Sequence, residues 1–171
     1  IASEISTKAI AVSTLCNLLT KFLEYDLDQD EYALQMVKWN SSVSKIAFNN
    51  NSQLQPRGIL VLGSLTKQGV SSRLILKFIE LVQHVVRNYA RDNSNRNPPD
   101  YNMIVCTMHA FGKCIDGINS KSSFHPLMFW GNLTTALSEN VNTFMYSISF
   151  IRLTFMKIYE YLKETDISLV D

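Results

Sequence analysis

Apolar residues recur along this chain every three or four positions, the period of a helical face, in successive stretches divided by polar breaks. The first stretch puts Ile5, Ala9, Val12, Leu15, Leu19 and Phe22 on one stripe and predicts a helix from a Ser3 cap to about Tyr25. Asp26-Leu27-Asp28-Gln29-Asp30 ends it and offers carboxylates to cap the next. The second stripe is Tyr32, Met36, Trp39, Val43 and Ile46, weakened mid-way by Asn40-Ser41-Ser42, whose short side chains compete for backbone hydrogen bonds. Asn49-Asn50-Asn51-Ser52 then reads as a loop.

Gly58 to Leu65 is apolar on every side, so its period alone cannot separate a buried helix from a buried strand. Pro56 suits the first turn of a helix, where its missing N–H costs nothing, and Gly69 suits the stop. Leu outnumbers β-branched residues here, so a third helix is expected. The fourth is the cleanest: Leu74, Ile75, Phe78, Ile79, Val82, Val85, Val86 and Tyr89 form a broad stripe, with Ser71 or Ser72 as cap. After a long polar connection from Asp92 to Asp100, a fifth helix aligns Tyr101, Ile104, Val105, Met108, Phe111 and Ile115 and stops near Gly117. A sixth starts at Pro126 with Phe129, Leu133, Ala136 and Leu137 inward.

The seventh, from about Asn142 to Lys163, has two readings. Val141, Phe144, Ile148, Ile151, Phe155, Ile158 and Leu162 alternate steps of three and four, a coiled-coil seam. Tyr146, Phe150, Leu153, Met156 and Tyr159 add apolar surface outside that seam, as on a helix packed between neighbours.

The first, third, fifth and seventh predicted helices begin near Ile5, Leu54, Tyr101 and Asn142, at offsets of roughly 40 to 50 residues, the period of two-helix HEAT or armadillo units. The units are unlike one another in sequence, so the repeat rests on spacing. The expected fold is an all-α, HEAT/armadillo-like α-solenoid segment of about seven helices. It is a single helical-repeat segment over residues 1–171, with the first helix pair in 1–50 and the remaining helices in 54–171. An α/β enzyme with Gly58 to Leu65 as a buried strand is the alternative that helicity must exclude.

Composition narrows the functional classes. With 46% apolar and 18% charged residues the chain is folded material rather than a disordered tail. A net charge of +1 argues against bulk attraction to nucleic acid or an anionic membrane. Three cysteines, odd in number and without framework spacing, point to reduced thiols in a cytosolic protein. The apolar run from Phe144 to Leu162 is interrupted by Arg152 and Lys157, so no membrane span is expected. The opening at Ile1, without a signal pattern, and the stop at Asp171 shortly after a strong helix suggest a piece of a longer polypeptide.

Candidate chemistry is sparse. Cys106, His109 and Cys114 invite a metal, but on one straight helix Cys114 lies ~12 Å along the axis from Cys106. Two sulfurs on one zinc are at most about 4.6 Å apart, so core side chains are the expected role. Gly58, Gly63 and Ser64 lack the Lys of a phosphate loop and read as close helix packing. His84, His109 and His125 sit on three different elements with no nucleophile framing them, so no catalytic, cofactor or metal residues are expected. The glycosylation patterns at Asn40, Asn50 and Asn132 carry no weight without a secretory signal.

Two basic features remain. Arg57 is a cation in a first turn and opposes the helix dipole unless it reaches a carboxylate or a partner. Arg73, Lys77, Glu80, His84, Arg87 and Arg91 share the face of the fourth helix opposite its core stripe, and Arg96 extends it. That face is either ordinary solvated surface or a surface for an anionic partner. Without interleaved aromatics it does not read as nucleic-acid binding.

At Leu54-Gln55-Pro56-Arg57 followed by Gly63 and Lys67, the sequence resembles neurofibromin-type Ras GTPase-activating proteins, in particular their fungal branch, the yeast inhibitory regulators of Ras. The likeness resumes at Asp100-Tyr101-Asn102, Phe129-Trp130 and Asn142 with Tyr146, and covers roughly residues 35 to 150. The resemblance implies a segment of the helical-repeat region C-terminal to the catalytic, Ras-binding part. The family's arginine finger and Phe-Leu-Arg signature have no counterpart: Phe22-Leu23 is followed by Glu24, and Arg57 stands in another context. A non-catalytic scaffold is therefore implied, in a cytoplasmic parent that is a negative regulator of Ras signalling. Its expected partners are other repeats of the same chain, a second copy in a homodimer and, through the absent catalytic domain, Ras. Membrane association would be peripheral and through other parts of the parent. The alternative is a standalone helical-repeat module that recognises an acidic partner through Arg73, Lys77, Arg87 and Arg91, with Arg57 as a further contact.

Overall fold

The computed structural model describes residues 2–49, 51, 53–66, 70–91, 98–118, 126–127, 131 and 141–167. Six helices have bounds within these residues: α1 (Ala2–Asp26), α2 (Gln29–Ala47), α3 (Gln55–Leu65), α4 (Ser72–Arg91), α5 (Pro98–Asp116) and α6 (Val141–Ile167). No strand occurs among the described residues, and Gly58 to Leu65 is helical, which removes the α/β alternative. The fold is all-α. Most of the predicted sixth helix and the Gly69 stop lie outside the described residues, as do the side chains of Ser3, Ile5, Tyr89 and Tyr101. The seventh predicted helix is α6.

Local chemistry starts α2, α3 and α4 where the sequence placed them, whereas α5 begins at Pro98, within the connection expected from Asp92 to Asp100. Asp28 accepts the Glu31 N–H on Oδ1 at 2.9 Å and caps α2, and Asp30 and Glu31 in the first turn suit the positive end of its dipole. Ser71 Oγ accepts the Leu74 N–H at 3.2 Å and caps α4. Before α3, Asn51 Oδ1 accepts the N–H groups of Gln53 and Leu54, each at 3.1 Å, folding the chain into the turn that Pro56 continues.

α3 is the hub, packed against α1, α2 and α5. It buries Ile59, Leu60, Leu62, Ser64 and Leu65, together with Gly58 and Gly63. A Cβ on Gly63 would lie 2.5 Å from Ala110 Cα on α5, and one on Gly58 would lie 2.8 Å from Ala47 N on α2. The glycines are thus notches that admit neighbouring backbones, the packing role expected of them. α4 lays Ile75, Phe78, Ile79, Val82, Val85 and Val86 into the core. α5 is covered on more than one side, burying Ile104, Val105, Met108, Phe111, Cys114 and Ile115.

A line of rings crosses the core from helix to helix. Phe48, the C-cap of α2, meets Phe78 of α4 at 5.7 Å between centroids; Phe78 meets Phe111 of α5 at 6.5 Å; Phe111 meets Phe150 of α6 edge-on at 5.6 Å. A smaller cluster of Ala9, Leu60, Val105 and Cys106, with Val12 against it, fastens α1 to α3 and α5.

α1 and α6 depart from expectation in which face they bury. On α1 the inward residues are Ala9, Ser13 and Cys16, while Leu15 is 57% exposed and Phe22 65%. On α6 they are Ser147, Phe150 and Thr154, whereas Phe144, Ile148, Phe155 and Leu162 of the predicted seam are exposed. Small side chains let a helix approach its neighbour closely. Buried hydroxyls are accommodated by bonding back to the helix, as Thr154 Oγ1 does to Phe150 O at 2.8 Å. Among the described residues, α6 packs chiefly on α5, and Gly131 lies against its Ile151. No helix of the described residues is long and apolar enough to cross a membrane.

Candidate functional site

Two clefts hold three of the basic residues that the sequence marked, Arg57, Arg73 and Lys77. The first, about 530 Å³, lies between the C-terminal half of α2 and the start of α4. Arg73 and Lys77 enter it from α4, and Asn40, Ser41 and Ser44 from α2. The Lys77 ammonium sits 5.2 Å from the centroid of the Phe48 ring, a cation–π contact that holds the side chain over α2. Arg87 is exposed further along the same helix and is not part of the cleft; Arg91 falls on α4 with its side chain outside the described residues. His84 Nε2 lies 3.0 Å from the Asn88 amide nitrogen and is likewise exposed. Arg73, Lys77 and Arg87 are thus all exposed on α4, but only Arg73 and Lys77 converge.

Arg57 does not join them. It enters a second, larger cleft of about 890 Å³ between α1, α3 and α5, where Lys8 is the other cation. Gln53 and Asn102 bring amides to this cleft, and Val12, Leu60 and Val61 bring apolar surface. Among the described residues no carboxylate pairs with Arg57. Leu54 at the N-cap of α3 gives no side-chain hydrogen bond, and no acidic residue stands in the first turn, so nothing there offsets the positive end of the helix. Sequence reasoning found Arg57 and missed Lys8, Gln53 and Asn102. They come from three separate elements and share no spacing; the one available signal was that Lys8 and Lys21 are the only cations of α1.

The sulfur and imidazole groups divide as the helical geometry required. Among the described residues no three His, Cys, Asp or Glu side chains could hold a metal ion. Cys106 faces the α1 cluster and lines the larger cleft, while Cys114 is in the main core with Thr66 Oγ1 at 3.4 Å from its sulfur. Burial pushes the Cys106 thiol up to about 11, so it is not a thiolate nucleophile at neutral pH. His109 has its Nε2 buried without a hydrogen-bond partner among the described residues. Burial, and then the charge of Lys113, lower its pKa and favour the neutral ring.

The two clefts have cationic edges, Arg73 and Lys77 in one and Lys8 and Arg57 in the other. No protein-family model matches the chain, and no solved structure matches it. The class defined by fold and site is an all-helical domain with cationic clefts.

Proposed function

We propose that this chain is a non-catalytic scaffold and assembly segment, of α-solenoid type, in a cytoplasmic negative regulator of Ras signalling whose parent protein stimulates Ras GTP hydrolysis. One observation carries the scaffold part: α1 and α6 turn large apolar side chains outward. Leu15, Leu18, Leu19 and Phe22 do so on α1, and Phe144, Ile148, Phe155 and Leu162 on α6. Rows of this kind exceed the scattered apolar exposure of an ordinary surface and suit faces that neighbouring repeats or a second copy cover. The Ras part rests on the likeness at Leu54-Gln55-Pro56-Arg57 and the later blocks. In this reading packed helices form a rigid arm, the outward rows join it to other repeats or to a homodimer partner, and Ras is engaged elsewhere in the parent.

Sedimentation equilibrium over a wide concentration range tests the assembly role. Reversible association that weakens when Leu15, Leu18 and Phe22 are changed to Gln supports it; a monomer at every concentration removes the assembly surface from this chain. Addition of the chain to GTP-loaded Ras is expected to leave the hydrolysis rate unchanged, and an increase would overturn the non-catalytic assignment.

The convergence of Arg73 and Lys77 favours a second reading, a module that binds an acidic partner through the α4 face. Combined Arg73→Glu and Lys77→Glu separates the two: the scaffold reading expects folding and assembly to persist, the module reading expects a bound partner to be lost.

A further inference from the structure

The cleft between α1, α3 and α5 carries an inference independent of the Ras and scaffold assignments. Its edge carries two exposed cations, Arg57 from α3 and Lys8 from α1, the second with an interaction partner of its own, and none of the described lining residues is acidic. Its floor is apolar, with Leu60 buried and Val12 and Val61 half-buried. Two half-polar positions, Gln53 and Asn102, supply amides between these zones. At about 890 Å³ it falls within the ~300–1,000 Å³ of cavities that hold a ligand.

Placing Arg57 there has an energetic cost in the free protein. A cation in the first turn of a helix whose start has no acidic residue is disfavoured by the helix dipole, and an arriving anion reverses that sign. The apolar floor then selects among anions. A small, strongly hydrated phosphate gains nothing from Leu60 and Val61, and Pro56 lacks one of the N–H groups a phosphate would use at a helix start. A carboxylate carried beside an apolar side chain uses both zones.

We propose that this cleft docks an acidic peptide segment of a partner protein. An Asp or Glu carboxylate of the peptide meets Arg57 and Lys8, an adjacent apolar side chain lies over Leu60 and Val61, and Gln53 and Asn102 hydrogen-bond the peptide backbone. Arg57, with its planar fork of donors, contributes more than Lys8.

The test is selection of short displayed random peptides on the immobilised chain, with the Arg57→Glu chain as counter-selection. Circular dichroism of each variant checks folding, and Arg57→Gln replaces Arg57→Glu if the latter misfolds. Survivors rich in Asp or Glu next to apolar residues are expected. Synthesised survivors should lose about tenfold in affinity on Arg57→Glu, less on Lys8→Glu, and progressively more with added salt. Val61→Ser should also weaken them. The proposal is overturned if nothing survives counter-selection, if survivors lack acidic residues, or if they bind Arg57→Gln as tightly as the unchanged chain. Displacement by inorganic phosphate alone, or indifference to Val61→Ser, overturns it as well, by reducing the cleft to an anion contact without peptide recognition.

Discussion

Gly63 is a point of backbone contact between α3 and α5, and Gly63→Ala measures what that closeness contributes. The added Cβ would fall 2.5 Å from Ala110 Cα, 2.6 Å from Ala110 Cβ and 2.9 Å from Ala110 O. Carbon atoms pack comfortably at about 3.5–4.0 Å, so the helices must part locally by about 1 Å. Two of the three obstructing atoms are backbone, and rotamer changes cannot remove them. Alanine returns about 1 kcal/mol of helix propensity, and overpacking against a fixed backbone costs about 3 kcal/mol. The net loss is about 2 kcal/mol, which for a chain of this size lowers Tm by about 4–8 °C. Urea unfolding followed by far-UV circular dichroism gives the midpoint and slope that separate a stability change from a change in exposed surface. Adding Ala110→Gly removes only the 2.6 Å contact and brings its own propensity cost, so the double variant should be no more stable than Gly63→Ala. A midpoint at or above that of the unchanged chain, or full rescue by Ala110→Gly, would refute the notch argument.

Phe111→Ala removes a fully buried ring and should cost about 3–5 kcal/mol, read from the same urea transitions; a loss under about 1 kcal/mol would mean the surroundings collapse into the space. His109 has a folded-state pKa below its ordinary 6.5, so the unfolded chain binds the extra proton first. Its contribution is fully present above pH 6.5 and is lost as pH falls from there through the folded-state value. The urea midpoint should drop over that window, and His109→Gln should flatten that part of the profile. With its thiol raised to about 11, Cys106 should react with a disulfide reagent at pH 8 far more slowly in the native chain than in urea, and mass mapping of the labelled sites checks it.

The sequence was most legible where one residue type has one local use. Asp28 and Ser71 are caps because their oxygens reach a free N–H within the first turn, a relation confined to four residues. The α4 stripe was legible because one face is strongly apolar and the other is charged. α1 and α6 misled for the opposite reason. Both carry apolar residues on more than one side, and periodicity favours the larger ones, Leu15, Phe22 and Phe155, over Ser13, Ser147 and Thr154. Which face turns inward was decided by how closely α5 and α3 could be approached, and that depends on residues far away in the chain. The same holds for the larger cleft. Arg57 betrayed itself by standing at the wrong end of a helix dipole, a local anomaly, whereas Lys8 acquires its meaning only when α1 is laid beside α3.

The ring sequence Phe48, Phe78, Phe111, Phe150 has a consequence for how disturbances spread. Each ring belongs to a different helix or its end, and each touches the next, so the hydrophobic centre includes a relay with an order. Paired substitutions at Phe78 and Phe111, or at Phe111 and Phe150, act on a shared contact and should show interaction energies; Phe48 and Phe150, with two rings between them, should respond additively. Sequence drift in such a molecule is then constrained pair by pair along the line, and one end can be remodelled without retuning the other.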